Sequence, residues 1–113
     1  KVIYPELQSG NSKISADKHL QGGYGGLVGF ELSGGLQAGK KFIDALELFY
    51  HVANIGDSRS LAIHPATTTH SQLSAEEQFK TGVSEDYVRL SIGIEHVDDI
   101  IIDLTKAIEK SQI

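Results

Sequence analysis

The sequence predicts one α/β (α+β) domain, a small four-stranded sheet with helices packed on one face. Three observations carry this. Four short apolar runs alternate with stretches whose apolar residues recur at helical spacing. Glycine, proline and polar clusters separate the two kinds of segment. The length of 113 residues suits a single domain, which buries roughly two thirds of its unfolded surface.

The elements follow in order. Lys1–Pro5, "KVIYP", is a short strand ended by proline. Ser15 is a plausible N-cap for a short helix from Ala16 to Leu20. "QGGYGG" is a flexible loop, Gly26–Leu32 a second strand, and Ser33–Gly35 a turn. Leu36, Phe42, Ile43, Leu46, Phe49 and Val52 then predict one long helix, Leu36 to Ala53. Leu61–Ala66 is the third strand. Ser74 with Glu77 forms a capping box that opens a short helix, which Gly82 ends. The fourth strand lies within Glu85–His96, where Val88, Leu90, Ile92 and Ile94 alternate with Tyr87, Arg89, Ser91 and Gly93. Val97–Lys110 is a last helix, with Val97, Ile100, Ile101, Leu104 and Ile108 as its apolar stripe. Asp98 and Asp99 suit its positive N-terminal end, and Lys106 and Lys110 its negative C-terminal end.

Composition excludes several classes. With no cysteine there is neither a disulfide nor a thiolate metal site. A net charge of −5 without a basic block argues against nucleic-acid binding. No apolar run approaches the ~20 residues that span a membrane, and no signal pattern opens the chain. The expectation is a soluble, cytoplasmic protein. The sequence contains no methionine, not even at position 1, so it is expected to be part of a longer chain.

Most motif-like features have simple readings. "GGLQAGKK" (Gly34–Lys41) nearly matches a phosphate loop, but Lys41 stands where a magnesium-binding hydroxyl is needed. The helical period already places Gly39 inside a helix. His64 and His70 are six apart with no carboxylate to complete a metal set, which favours structural roles. No serine sits in a nucleophile elbow. Thr67, Thr68 and Thr69 most simply satisfy backbone groups at a strand end. Arg89 is different. It is one of two arginines, beside Arg59, and projects from the strand face away from the core. Such a residue is usually just solvated. It can also bind a carboxylate through two parallel hydrogen bonds, held more rigidly by a strand than by a loop.

The runs "GKKFID", "NIGDSRSLAIHPATTTH" and "VRLSIGIEHVDDII" together resemble the Cys/Met-metabolism family of pyridoxal-phosphate enzymes. The similarity covers Gly25 to Lys110, with "KVIYPEL" fitting the preceding strand. It is nearest to the branch that acts on O-acetyl-L-homoserine. Cystathionine γ-synthase and γ-lyase, methionine γ-lyase and O-succinylhomoserine sulfhydrylase are the relatives. The resemblance implies the C-terminal small domain of an aspartate-aminotransferase-like fold across residues 1–113, its sheet mostly antiparallel. It implies that Arg89 grips the substrate α-carboxylate, that Asn54 helps, and that Thr69 supports the arginine. Pyridoxal phosphate and its Schiff-base lysine would belong to a domain absent from this chain. The implied partners are O-acetyl-L-homoserine, sulfide or a thiol, the remaining domain, and further subunits of a tetramer. The competing class is a free-standing amino-acid-binding regulatory module with Arg89 as its anion hook.

Overall fold

A computed structural model describes residues 1–68, 70–81 and 83–113. The chain forms β1 (Val2–Ile3), α1 (Gly10–His19), β2 (Leu27–Glu31), α2 (Gly35–Ala45), β3 (Tyr50–His51), β4 (Leu61–Ile63), α3 (Ala75–Lys80), β5 (Tyr87–Ser91) and α4 (Val97–Ser111). Short 3-10 turns occupy Pro5–Leu7 and Pro65–Thr67. The sheet order is β1-β2-β5-β4-β3. Every pairing is antiparallel except β3 with β4, which is parallel. The α/β class and the mostly antiparallel sheet are as expected. The sheet has five strands rather than four.

Strand alternation decides where the core lies. Val88 and Leu90 of β5, Ala62 of β4, and Val28 and Phe30 of β2 share one face by register. That face packs on Ala38 and Phe42 of α2 and on Ile100 and Ala107 of α4. Phe30 meets Phe42 edge-on, with ring centroids 5.3 Å apart. The other face carries Tyr87, Arg89 and Ser91. Leu61, Ala62 and Ile63 are all buried, so β4 is covered on both sides and reads as a continuous apolar run.

The fifth strand comes from the segment that the sequence assigns to the long helix. Helix α2 stops at Ala45, and the next residues turn away because a buried carboxylate captures their amides. Asp103 of α4, 6% exposed, accepts the N–H groups of Glu47 (2.8 Å), Leu48 (2.9 Å) and Phe49 (3.2 Å). Charge-assisted bonds of this kind outweigh the neutral helical bonds they replace. Phe49 then enters the core while Tyr50 and His51 join β4. The apolar spacing of Leu46, Phe49 and Val52 imitates a helix, but Val52 is exposed.

Other boundaries shift for local reasons. Helix α1 begins after Ser9 rather than Ser15 and buries no residue. The first strand is only Val2–Ile3, because Pro5 opens a 3-10 turn. Strand β5 ends at Ser91, and Ile94 is exposed rather than continuing the apolar face. On α4 the buried positions are Ile100, Asp103, Ala107 and Ser111, while Val97, Ile101 and Ile108 are exposed. The capping box forms as expected, with Ser74 Oγ accepting the Glu77 N–H and Glu77 accepting the Ser74 N–H. Gly82, expected to end α3, lies outside the described residues.

Gly39 is inside α2, as the apolar period required, and the structure supplies its reason. His64 is fully buried against it. A Cβ at position 39 would stand 2.6 Å from His64 Cε1 and closer still to Nε2. The His64 ring bridges two other segments: Nε2 donates to Glu85 O at 2.6 Å, and Nδ1 lies 3.0 Å from Thr67 Oγ1. Gly39 of "GGLQAGKK" and His64 of "HPATTTH" thus meet in one structural contact.

Two stability measurements check these contacts. Alanine is favoured over glycine in a helix interior by about 1 kcal/mol, yet Gly39→Ala should lower the urea midpoint of the chain, because the ring must move. A raised midpoint would contradict the contact. Asp103→Ala should destabilise by about 2–3 kcal/mol, since three amides lose their acceptor. A loss below about 0.5 kcal/mol, the usual surface value, would show that Asp103 does not anchor the turn.

Candidate functional site

Arg89 sits at the centre of the sheet. Its strand is hydrogen-bonded on one edge to β2 and on the other to β4, and its register partners are Gly29 and Ile63. The Tyr87 ring lies over Gly29, where a Cβ would stand 2.7 Å from Tyr87 Cε2. Arg89 is half-buried as a residue and emerges on the sheet face opposite Val88 and Leu90. Among the described residues its one hydrogen bond is from Nη2 to Asn54 O, at 3.4 Å, and no carboxylate pairs with it. Among the described residues nothing else takes its remaining N–H donors, which suit an incoming anion.

Arg59 is committed elsewhere. It forks onto Asp57 through Nε–Oδ1 at 3.2 Å and Nη2–Oδ2 at 3.1 Å, and stacks 4.9 Å above the Tyr50 ring. The hydrogen bonds from Arg59 hold the Asp57 carboxyl at about 2, well below the usual carboxylate range.

Asn54 lies beside Arg89, and its backbone carbonyl is what meets the guanidinium. Its side-chain Oδ1 accepts the Ile55 N–H at 2.9 Å, which leaves the carbonyl facing the guanidinium. Thr69 lies outside the described residues. Its neighbours do satisfy backbone groups: Thr67 Oγ1 and Thr68 Oγ1 lie 3.2 and 2.9 Å from His64 O.

The loop 54–60 is held by residues the sequence reading did not single out. Ser91 Oγ accepts the Gly56 N–H at 3.3 Å, and Ser58 O accepts the Ile94 N–H at 2.9 Å. Glu95 accepts the Ser60 N–H at Oε2 (2.8 Å) and the Ser60 hydroxyl at Oε1 (2.7 Å). Ser60 is fully buried and accepts the Gly93 N–H at 2.9 Å. Gly93 is required by close approach: a Cβ there would stand 2.6 Å from Ser60 N. Burial pushes the Glu95 carboxyl up, but the Ser60 hydrogen bonds together lower it below its ordinary value. The signal in the sequence was the run of serine, glycine and glutamate after Arg89, whose partners lie about 35 residues upstream.

The description of a known family's model, Cys/Met metabolism PLP-dependent enzyme, matches residues 1–109. The chain belongs to that family. It is 52% identical over 109 residues to an O-acetyl-L-homoserine sulfhydrylase of Leptospira meyeri, covering 96% of this chain and 25% of that protein. It is 47% identical over 87 residues to an L-methionine gamma-lyase of Pseudomonas putida, covering 77% of this chain and 22% of that protein. A crystal structure assigned as an O-acetylhomoserine (thiol)-lyase of Campylobacter jejuni superposes with a TM-score of 0.84 at 45% identity, covering 96% of this chain and 26% of that one. That structure carries a pyridoxyl-lysine monophosphate. The chain thus spans about a quarter of the curated relatives it matches.

The family is dependent on pyridoxal phosphate. The residues present do not fit a holder for that cofactor. None of the eight lysines is buried, and Lys13, half-buried, is engaged by Asp17 and Tyr24. Among the described residues no group of three His, Asp or Glu could hold a metal ion, and no helix is long and apolar enough to cross a membrane.

The loop should respond to acid. Asp57 and Glu95 both have depressed folded values, so their stabilising effect is present above the ordinary carboxyl range, about pH 4. It is lost as pH falls from there through the folded values. Amide exchange at Ser60 and Gly93 should accelerate on acidification relative to core amides of β5 and α4, after correction for intrinsic rates. Parallel behaviour of loop and core would contradict this.

Proposed function

We propose that the chain is the C-terminal, substrate-carboxylate-binding domain of a PLP-dependent O-acetyl-L-homoserine sulfhydrylase. The observation that carries this is Arg89, borne on a central strand beside Asn54 O and, among the described residues, facing no carboxylate. The parent enzyme would replace the acetyl ester at the γ-carbon of O-acetyl-L-homoserine with sulfide or a thiol, giving homocysteine or methionine. Pyridoxal phosphate, which serves as the electron sink when bound, would be held by the rest of the protein. Arg89 would bind the substrate α-carboxylate bidentately and fix the orientation of the α-hydrogen. Asn54 would help hold the same carboxylate, and Thr69 would support the arginine. The sulfhydrylase branch is supported by 52% identity to the Leptospira protein and 50% to an O-acetyl-L-homoserine sulfhydrylase of Thermus thermophilus. A γ-elimination enzyme is the second reading, favoured by the 47% identity to the Pseudomonas lyase.

The test uses the full-length enzyme. A hydrogen bond to a charged group contributes about 1.5–3 kcal/mol, so Arg89→Ala should raise the KM for the amino-acid substrate by roughly one to two orders of magnitude. Arg89→Lys should also be impaired, because a point charge does not reproduce the planar fork. Unchanged KM and kcat in Arg89→Ala would end the carboxylate reading. Turnover of O-acetyl-L-homoserine with sulfide, compared with elimination in its absence, separates the two reaction classes.

A further inference from the structure

The strand that bears Arg89 and the turn that follows it carry the parts that hold the 54–60 loop. Ser91 and Glu95 follow Arg89 by two and six residues, and they grip the 54–60 loop at Gly56 and Ser60. Asn54 needs this help. It is exposed, and among the described residues its hydrogen bonds are the local one to Ile55 and the long one from Arg89. Neither would fix where its carbonyl stands. The loop's anchors do, and the strongest of them is Glu95, the one charged group in the clamp. A glutamate beside a strand end ordinarily points to water. Here both oxygens are used on a single, fully buried residue, Ser60, at the point where the loop enters β4. Charge-assisted bonds to backbone and hydroxyl donors are the strong ones. Gly93 brings the two backbones close enough for this, since nothing larger fits against Ser58–Ser60.

We infer that Glu95 is a positioning residue for the amino-acid substrate: through Ser60 it holds the 54–60 loop so that the Asn54 carbonyl, which accepts from Arg89 Nη2, orients the fork toward one carboxylate. This rests on the proposed reading that Arg89 binds that carboxylate. Glu95 acts through the loop and touches no reacting atom. Its removal should therefore appear in substrate affinity rather than in turnover. Ser91, which secures Gly56 from the same strand, should act in the same direction but more weakly.

The experiment is steady-state kinetics of the full-length enzyme carrying Glu95→Gln, Ser91→Ala, Arg89→Ala, and the pair Glu95→Gln with Arg89→Ala. Glutamine keeps the size and one acceptor but leaves the Ser60 hydroxyl proton without its carboxylate. Glu95→Gln should raise the KM for the amino-acid substrate about tenfold, with kcat and the KM for sulfide changed less than about twofold. In the Arg89→Ala background the same substitution should change that KM less than about twofold, because the two residues serve one contact. A lowered thermal midpoint with unchanged KM would overturn the inference, as would an equal KM effect in both backgrounds. If Glu95→Gln does not fold, Ser91→Ala decides by the same criteria with an expected rise of about threefold. Should Arg89→Ala alone leave KM unchanged, the carboxylate reading itself fails. Should Arg89→Ala raise KM while Glu95→Gln and Ser91→Ala do not, only the positioning role fails.

Discussion

Arg89 is placed by the pairing of β5 along both of its edges. A strand hydrogen-bonded to β2 on one side and β4 on the other cannot slide by one residue without turning its whole apolar set out of the core. Val88 and Leu90, both almost completely buried, therefore fix the face on which Arg89 emerges. The ladder thereby fixes the point and the face from which the Arg89 side chain leaves the backbone. A fork meant to bind a small carboxylate gains most from such preorganisation, because little freedom is left to lose on binding.

Two carboxylates then do for the loops what the ladder does for β5. Asp103 takes three consecutive amides after α2, and so creates β3 at the edge of the sheet. Glu95 takes the amide and hydroxyl of Ser60, and so fixes the path into β4. The amides they accept lie in the connections between elements, where backbone groups would otherwise lack partners. One carboxylate shapes the sheet's outer edge and the other the rim of the candidate site.

The sequence made the regular parts legible. Alternation in 87–91 and helical spacing in 97–111 identified β5 and α4, and the Ser74–Glu77 pair marked the start of α3. The same patterns misled where a polar side chain overrode them. Leu46, Phe49 and Val52 keep helical spacing, yet Asp103, over 50 residues away, ends the helix first. Ile94 keeps strand spacing, yet it is exposed and its N–H goes to Ser58 O, whereas Ile92 still packs on the core. Local periodicity carries no trace of such distant acceptors. The site was legible in part: Arg89 stood out as an arginine opposite an apolar face, and Asn54 through its motif. Glu95, Ser60 and Ser91 look like ordinary polar residues until the fold brings the two segments together.

The central claim is that Arg89 exists to bind an α-carboxylate, and one comparison tests it without any reaction. Norleucine and pentylamine differ only by that carboxylate. Their inhibition constants, measured on the full-length enzyme and on its Arg89→Ala variant, isolate the contact between the two groups. Norleucine should bind the unmodified enzyme about ten- to hundredfold tighter than pentylamine, and the preference should fall to about twofold or less in the variant. A preference that survives the loss of Arg89 undiminished would contradict the account.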